Sequence, residues 1–237
     1  MGLEKENENL IANRKDRIRS AYRLIGKNSF YDGIITASTF LGKLLARLVW
    51  DMNAEEIAEY QARAMSDVPE SFSGRLLEVP VGTGVLTMPL FQSLPDAEIV
   101  CVDYSREMIA TAVDRAARMG LANVTFRQGD VGALPFEESS FDIVLSLNGF
   151  HVFPDKDAAY GETFRVLKSG GIFCGCVYVS GCCKRTDFFI RNFYQVLQLF
   201  TPPHETMESL SSRLRSMYEE VELSHVKGVA CFLCRKK

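Results

Sequence analysis

Two carboxylates and a glycine turn are the residues of this chain whose types and spacing point to chemistry. Glu78 lies in an apolar run of strand type that breaks into a turn with Gly82 and Gly84, and Asp103 closes the next apolar run, residues 98–102. A strand, a glycine turn that opens a helix, a second strand and an acid form a βαβ unit whose crevice receives an adenosine-like ligand. The pattern therefore predicts a site for a nucleoside cofactor.

The residues around the turn distinguish between nucleoside cofactors. Dinucleotide sites need a small third residue so that the helix approaches the strand and its free N–H groups hold a pyrophosphate, whereas this chain has Thr87 there. Glu78 would repel a pyrophosphate through Coulomb's law, but it suits a ligand that carries an ammonium and a sulfonium. The turn therefore favours S-adenosyl-L-methionine over NAD.

Further motifs follow the turn in a fixed order: an acid that ends the second strand, a GD followed by LPF, an FDIV strand and a GG turn. They are carried by Glu78, Gly82, Gly84, Asp103, Gly129, Asp130, Leu134, Pro135, Phe136, residues 141–144, Gly170 and Gly171. Over residues 75–179 this series resembles class I S-adenosylmethionine-dependent methyltransferases, and most closely their small-molecule branch of the ubiquinone and menaquinone biosynthesis type. It departs at Pro80, where that family has its first glycine.

The resemblance implies a role for each cofactor-binding position. Around the turn, the backbone and Glu78 would hold the methionine part of the ligand, Asp103 would accept from the ribose hydroxyls, and Asp130 with the Val131 backbone would contact the adenine edge. Tyr104 and Met108 would cover the ring. The full set is Glu78, Val79, Pro80, Gly82, Thr83, Gly84, Asp103, Tyr104, Met108, Asp130, Val131, Asn148, Gly149 and, closing over the cofactor from the N-terminal segment, Tyr31.

Each acid also has a structural interpretation. Asp103 could be a helix cap, because Ser105 stands one residue before a predicted helix. Asp130 could cap a turn. Glu78 could be a solvated carboxylate at a strand end.

His151 is the only histidine at the predicted crevice, in the segment NGFHVFPD that follows the fourth strand. It resembles a histidine common in the family at this place, and so it is a candidate catalytic base or substrate contact. The alternative is a histidine that bonds a neighbouring loop carbonyl. A base is required only where the acceptor atom is an O–H, C–H or protonated amine.

The prediction for function is methyl transfer to a small apolar or aromatic acceptor. Three alternatives stay open: an NAD-type oxidoreductase, a methyltransferase of protein or nucleic acid, and a cofactor-binding module without catalysis. DNA amino-methyltransferases carry a D/N-P-P-Y/F loop after the fourth strand, where this chain has residues 148–151, NGFH.

Composition limits the partners. The 237 residues carry a formal charge of −3, and the only basic run is the terminal residues 235–237, so the phosphate footprint of a nucleic-acid enzyme is missing from the sequence. The first residues are polar, unlike a secretory signal, and the longest apolar patterns are interrupted by Lys43, Arg47 or Arg191. These features predict a soluble, cytoplasmic protein without an integral membrane segment. A homodimer is left open.

Seven cysteines are expected to be reduced thiols. Cys174 and Cys176 lie in one apolar strand, Cys231 and Cys234 in another. Residues two apart share a sheet face and residues three apart do not, so the four thiols cannot converge on one zinc without distorting the last strand. No metal site is predicted.

The elements that must position these residues alternate between strands and helices from residue 75 onward. Such alternation predicts an α/β, Rossmann-like, doubly wound sheet with right-handed crossovers. The resemblance implies seven mostly parallel strands with the last inserted antiparallel, and a Lys227–Gly228 hairpin supports this independently. Residues 70–237 would form the methyltransferase domain, and residues 1–69 a helical cap or lid.

Element boundaries follow from periodicity and capping residues. Predicted strands are 75–79, 98–102, 124–128, 141–146, 172–179, 219–226 and 229–233. Predicted helices are 15–25, 37–50, 54–65, 84–92, 106–119, 156–167, 186–200 and 204–217, with a turn at SFYDG, residues 29–33. The aromatics of helix 186–200, among them Phe188 and Phe193, are expected more often in the core than in a substrate pocket.

Overall fold

The computed structural model describes residues 29–197 and 199–237, with side chains from residue 32 onward. The helix predicted over 15–25 and the side chain of Tyr31 lie outside the described residues. Within the described part, no helix is long and apolar enough to cross a membrane.

A single sheet of seven strands organises the chain, in the order β3-β2-β1-β4-β5-β7-β6. β1 to β6 run parallel, and β7 is antiparallel to both of its neighbours. The strands are β1 Arg75–Glu78, β2 Glu98–Asp103, β3 Val124–Gln128, β4 Phe141–Leu147, β5 Leu167–Tyr178, β6 Glu220–Val226 and β7 Val229–Arg235. The predicted fold class and the antiparallel insertion of the last strand are thereby confirmed.

Helices cover both faces of the sheet, which is why its central strands are apolar without alternation. Leu76 and Leu77 are neighbours on β1 and point to opposite faces, yet both are fully buried, each in a different core cluster. Cys231 and Cys234 of β7 likewise belong to the two different clusters, as their spacing predicts. Among the described residues, no group of three or more His, Cys, Asp or Glu is placed to hold a metal ion.

The helices begin where the sequence supplies capping side chains. Asn53 and Glu56 form a reciprocal capping box, and Ser105 and Asp155 accept from backbone N–H groups of the helices that follow them. The helices are α1 Ser29–Ile35, α2 Phe40–Leu45 with a π-helical continuation Ala46–Trp50, α3 Ala54–Met65, α4 Met88–Gln92, α5 Arg106–Arg118, α6 Lys156–Val166, α7 Lys184–Phe189 with a π-helical continuation Ile190–Tyr194, and α8 Met207–Met217.

Four elements differ from the predictions by more than three residues or in type. β5 begins at Leu167 rather than residue 172, so Gly170 and Gly171, predicted as a turn, lie within the strand. The SFYDG segment is not a turn but lies in α1. The helix after the glycine turn begins at Met88 rather than residue 84, because Gly84 has a φ of +69° that an α-helix does not accept. The helix predicted over 186–200 changes to a π-helical turn at Ile190.

Candidate functional site

A cleft opens at the carboxyl ends of β1, β2 and β4, where open α/β sheets bind their ligands. It encloses about 1080 Å³ of empty space, part of it open to solvent. Of the predicted cofactor-binding residues, twelve line this cleft: Glu78, Val79, Pro80, Gly82, Thr83, Gly84, Asp103, Tyr104, Met108, Asp130, Val131 and Asn148. Gly149 is not among the lining residues, and the side chain of Tyr31 is outside the described part.

The glycine turn has the conformation that only glycine adopts easily. Gly82 and Gly84 have φ angles of +56° and +69°. A Cβ atom on Gly84 would lie 2.6 Å from Cε of Met88. The turn is closed by a hydrogen bond from the Gly84 N–H to the Val81 carbonyl, 3.0 Å long. The backbone is therefore exposed to the cleft at both glycines.

Glu78 is buried at the base of the cleft, with 1% of its surface exposed. The interpretation as a solvated carboxylate does not agree with this burial. Its Oε2 accepts from Oγ1 of Thr87 at 3.0 Å and from Sγ of Cys101 at 3.6 Å. Burial raises the pKa of Glu78 well above its ordinary value, and the two donors oppose this only in part. A cation bound in the cleft would favour the ionised form.

Asp103 is also buried and is held by two backbone donors. The Gly82 N–H donates to Oδ2 at 2.9 Å, and the Ser105 N–H donates to Oδ1 at 2.8 Å. The helix cap itself is Ser105, whose hydroxyl accepts from the Met108 N–H at 3.2 Å. Burial raises the pKa of Asp103 to about 6, although its backbone donors act in the opposite direction.

Asp130 follows β3 and has the structural role that the sequence offered as its alternative. Its Oδ1 accepts from the Gly132 N–H at 3.0 Å and caps the short 3₁₀ turn Val131–Ala133. Asp130 and Val131 both line the cleft beside Gly129. The predicted adenine contact of Asp130 stays a prediction.

Asn148 and Gly149 end β4 in a tight bend. Asn148 has a φ of +55°, and its N–H donates to the Cys176 carbonyl of β5 at 2.9 Å. A Cβ atom on Gly149 would lie 2.3 Å from Cδ of Pro80 and 2.9 Å from Cζ of Phe153. Glycine at 149 thus lets the β4 loop approach Pro80, and its contact with the cofactor stays a prediction.

His151 is not itself among the described residues that line the cleft, although Val152 next to it is. The imidazole is buried, its Nδ1 accepts from the Tyr178 N–H at 3.3 Å, and its ring stacks on Phe200 with 4.2 Å between centroids. Burial, aided by the positive charge of Lys156, lowers the pKa of His151 to about 3. This environment suits a neutral structural histidine better than a base, so the catalytic role stays a prediction.

A polar cluster beside the glycine turn was not expected. Oγ1 of Thr83 donates to Oδ1 of Asp32 at 2.6 Å, and Arg115 pairs with Oδ2 of the same carboxylate. The Arg115 Nε–H also donates to the Thr83 carbonyl at 2.9 Å. The sequence carried no signal for this cluster, because its three members come from α1, the turn and α5.

Apart from these polar groups the cleft is apolar. Its apolar lining residues include Ile35, Leu86, Leu147, Val152, Phe153 and Pro154. The arrangement can hold a ligand with a positively charged, polar portion against Glu78 and Asp103, and it can hold an apolar molecule beyond it.

Comparison with known proteins agrees with this geometry. Residues 73–221, more than half of the chain, match the methyltransferase domain family. The chain is 38% identical over 112 residues to the demethylmenaquinone methyltransferase of Thermus thermophilus, an alignment that covers 47% of this chain and 50% of that protein. The chain thus spans about half the length of the curated relatives it matches.

Solved structures share the fold. A SAM-dependent methyltransferase from Thermotoga maritima has a TM-score of 0.61 and 21% identity, covering 86% of this chain and 98% of that one. Phosphoethanolamine N-methyltransferase 2 of Haemonchus contortus, in complex with S-adenosyl-L-methionine, has a TM-score of 0.65 and 16% identity, covering 91% of this chain and 60% of that one. The chain belongs to the methyltransferase domain family, with the fold of its class I S-adenosylmethionine-dependent members.

Proposed function

We propose that this protein transfers a methyl group from S-adenosyl-L-methionine to a small apolar acceptor. The observation that carries the proposal is the placement of two buried carboxylates, Glu78 and Asp103, in an otherwise apolar cleft beside a glycine turn. Burying a carboxylate without an opposite charge is costly, so a cationic, hydroxyl-bearing ligand would stabilise both groups at once. Family membership supports the same conclusion.

The cofactor fits the groups on this surface. Glu78 would take the ammonium and Asp103 the ribose hydroxyls, while Gly82 and Gly84 would let the backbone approach the methionine part. Tyr104 and Met108 would flank the adenine ring and Asp130 its edge. Val79, Pro80 and Thr83 would contribute through the shape of the turn, and Asn148 through the floor of the cleft.

When bound, S-adenosyl-L-methionine supplies a methyl group on a sulfonium, which leaves readily to a nucleophile aligned behind it. The chain then has to position the acceptor and exclude water. Orientation of two reactants contributes roughly 7 to 11 kcal/mol in favourable cases. The apolar residues Leu147, Val152 and Phe153 solvate charge poorly, and a site of this kind favours a reaction in which charge is dispersed.

The acceptor is proposed from the chemistry of the lining. Among the described lining residues there is no histidine, lysine or cysteine that could take a proton from the acceptor. An acceptor atom that reaches the cleft already deprotonated needs no such base. Examples are the oxygen or a ring carbon of an ionised phenol and the nitrogen of a neutral amine. An aromatic or otherwise apolar small molecule of this kind suits the lining best.

Calorimetric titration tests the cofactor directly. We expect S-adenosylmethionine and S-adenosylhomocysteine to bind with one site per chain, and NADH, which carries a pyrophosphate, not to bind. The acceptor class is then screened by incubating protein and S-adenosylmethionine with fractionated metabolite extract and measuring S-adenosylhomocysteine release, with Asp103→Ala as the blank. Tight NADH binding, or absence of S-adenosylmethionine binding, would contradict the proposal.

Other predictions from the sequence are kept as parts of this proposal. Residues 1–69 are proposed to act as a cap, supported by α1, which contributes Ile35 to the cleft and Asp32 to the turn. The exclusion of nucleic-acid substrates, which depends on the formal charge of −3, and the cytoplasmic location stay predictions. A homodimer stays a prediction that a mass measurement in solution tests.

A further inference from the structure

Two neighbouring helices leave large apolar side chains in solvent. On α2 and its continuation, Phe40 is 84% exposed, and Leu44 and Leu48 are about half exposed, at a spacing of four residues that places them on one face. We call the whole set the apolar surface: Phe40, Leu41, Leu44, Leu48, Phe188, Phe193, Val196 and Leu197. The exposure of Phe188 and Phe193 shows that the core position expected for these aromatics was wrong.

The two helices are joined directly. Arg185 of α7 donates to the Arg47 carbonyl at 3.2 Å and pairs with Asp51, at the end of α2, at 2.7 Å. Exposed apolar side chains grouped on two joined helices usually mark an interaction site, whereas a single exposed residue such as Val113 needs no explanation.

The charge that accompanies the apolar surface is positive. Lys43, Arg47, Lys184, Arg185 and Arg191 are exposed on the same two helices. Between Asp32 and Asp51 the chain has no acidic residue, and Asp187, the only acid of α7 and its continuation, is engaged by the Tyr178 hydroxyl at 2.8 Å and the Gly181 N–H at 3.0 Å. The two helices therefore carry a local excess of positive charge, whereas the formal charge of the whole chain is −3.

We propose that the apolar surface docks the protein on an anionic lipid bilayer. Exposed Phe and Leu side chains gain by entering the boundary between headgroups and acyl chains, and the surrounding Lys and Arg side chains gain by meeting anionic headgroups. A second copy of the chain is a poorer occupant, because a two-fold interface would bring the same cations together. Residues 15–27 of the chain are a poorer occupant for the same reason: they are also rich in Lys and Arg, and the cations beside the apolar surface would repel them.

The helices that carry the apolar surface are connected to the cleft at two places. α1, which contributes Ile35 to the cleft, packs against α2 so closely that a Cβ atom on Gly42 would lie 1.9 Å from the Gly33 carbonyl oxygen. After α7, the Thr201 hydroxyl donates to the carbonyl of Val152, a cleft residue, at 2.7 Å. Docking would bring the cleft mouth near the bilayer, where an apolar acceptor dissolves; this consequence alone rests on the proposed function.

Vesicle co-sedimentation of the full chain tests the docking. We expect binding to vesicles of phosphatidylcholine mixed with phosphatidylglycerol, weakened by added salt, and little binding to phosphatidylcholine alone. The double variant Phe40→Ser with Phe193→Ser removes apolar side chains, and Lys43→Glu with Arg191→Glu reverses two charges. Each is expected to lower the vesicle-bound fraction about tenfold or more.

Matched controls lie on α5, which carries none of the residues of the apolar surface. Val113→Ser removes an exposed apolar side chain, and Arg118→Glu reverses an exposed charge, so both should bind like the unmodified chain. Thermal unfolding midpoints within a few degrees of the unmodified chain confirm that the variants fold. The proposal is overturned by equal binding of all variants, by absence of vesicle binding, or by a solution dimer that Phe40→Ser dissociates. Cofactor titration is independent of these measurements.

Discussion

Thr83 donates a hydrogen bond to Asp32 at 2.6 Å, and this contact joins the glycine turn of the cleft to the first described helix. Arg115 completes the cluster from α5, pairing with the other Asp32 oxygen and donating to the Thr83 carbonyl at 2.9 Å. About four fifths of the Asp32 and Arg115 side chains are shielded from water, so the pair is stronger than an exposed ion pair. The N-terminal helix is thereby held beside the cofactor turn.

Asp32→Ala should destabilise the protein and weaken cofactor binding together. Loss of a charged acceptor that serves two donors costs about 1–3 kcal/mol of unfolding free energy, or roughly 2–4 °C in the unfolding midpoint for each kcal/mol in a chain of this size. Differential scanning calorimetry and titration with S-adenosylhomocysteine measure the two effects. Asp114→Ala is the control, because it breaks only an exposed pair with Arg118. Equal behaviour of the two variants would refute the bracing role.

Asp103→Ala should weaken cofactor affinity at least tenfold while the fold stays intact. The carboxylate is expected to accept from the ribose hydroxyls, and a charged hydrogen bond of this type is worth about 1.5–3 kcal/mol. Calorimetric titration measures the affinity, and circular dichroism checks the fold. Unchanged affinity would remove the ribose assignment.

The affinity should also depend on pH through the same carboxyl group. The folded pKa of Asp103 is raised from 3.8 to about 6, and the ribose hydroxyls would favour the ionised form. Binding should therefore be strongest above pH 6 and weaken by up to about tenfold for each pH unit below it. Asp103→Asn should bind weakly with a flatter profile over the same range. A wild-type profile that is flat from pH 5 to pH 7 would contradict this ionisation.

Gly149→Ala should damage the cleft through Pro80. The added Cβ would lie 2.3 Å from Cδ of Pro80, a rigid ring next to the glycine turn, and overpacking of this kind costs about 1–3 kcal/mol. Gly161→Ala is the matched control within α6, since nothing lies within 4 Å of its Cβ, and it should stabilise by about 0.5–1 kcal/mol. Chemical denaturation measures both. Equal unfolding free energies would show that the β4 loop relaxes without strain.

His151→Gln should flatten the acid dependence of stability. The pKa of His151 in the folded protein, about 3, is below its ordinary value of 6.5. The stability that the neutral imidazole contributes is therefore complete above pH 6.5 and is lost as the pH falls toward 3. Over this range the free energy of unfolding falls by about 1.4 kcal/mol for each pH unit of acidification. Between pH 3.8 and about 6, Asp103 opposes this fall, because its raised pKa favours the folded state at low pH. Denaturation at several pH values compares the variant with the wild type.

His225→Gln, at an exposed position on β6, is the control for that measurement. If instead the turnover number of the wild type shows an inflection near pH 6.5 that His151→Gln removes, His151 acts as a base and its structural interpretation is wrong.

The sheet could be predicted closely, because strand burial on two faces leaves continuous apolar runs and helix caps mark the crossovers. The prediction of β3 was correct to the residue, as was that of α3. The errors concentrate at glycines and at the aromatic helix. At Gly84 a positive φ delays the start of the helix to Met88, and at Ile190 the α-helix changes to a wider π-helical turn, which hydrophobic periodicity does not predict.

The site was predictable where it depends on strand ends and not where it depends on packing. Glu78 and Asp103 were identified from their positions alone, and both line the cleft. Thr87 was noticed only as an argument against a dinucleotide, yet its hydroxyl is the donor that holds the buried Glu78 carboxylate at 3.0 Å. His151 was chosen by proximity along the chain, and the structure turns its ring toward Tyr178 and Phe200 instead.

The sequence by itself determined the sheet, the glycine turn and the order of the carboxylates, because these depend on local periodicity and on backbone conformations that few residue types adopt. Only the tertiary structure decided which polar groups are buried and which distant residues meet them: Asp32 with Arg115, Gly149 against Pro80, and the apolar surface shared by α2 and α7. The reason is physical. Desolvation and contact depend on atoms that lie far apart in the chain, and no local pattern records them.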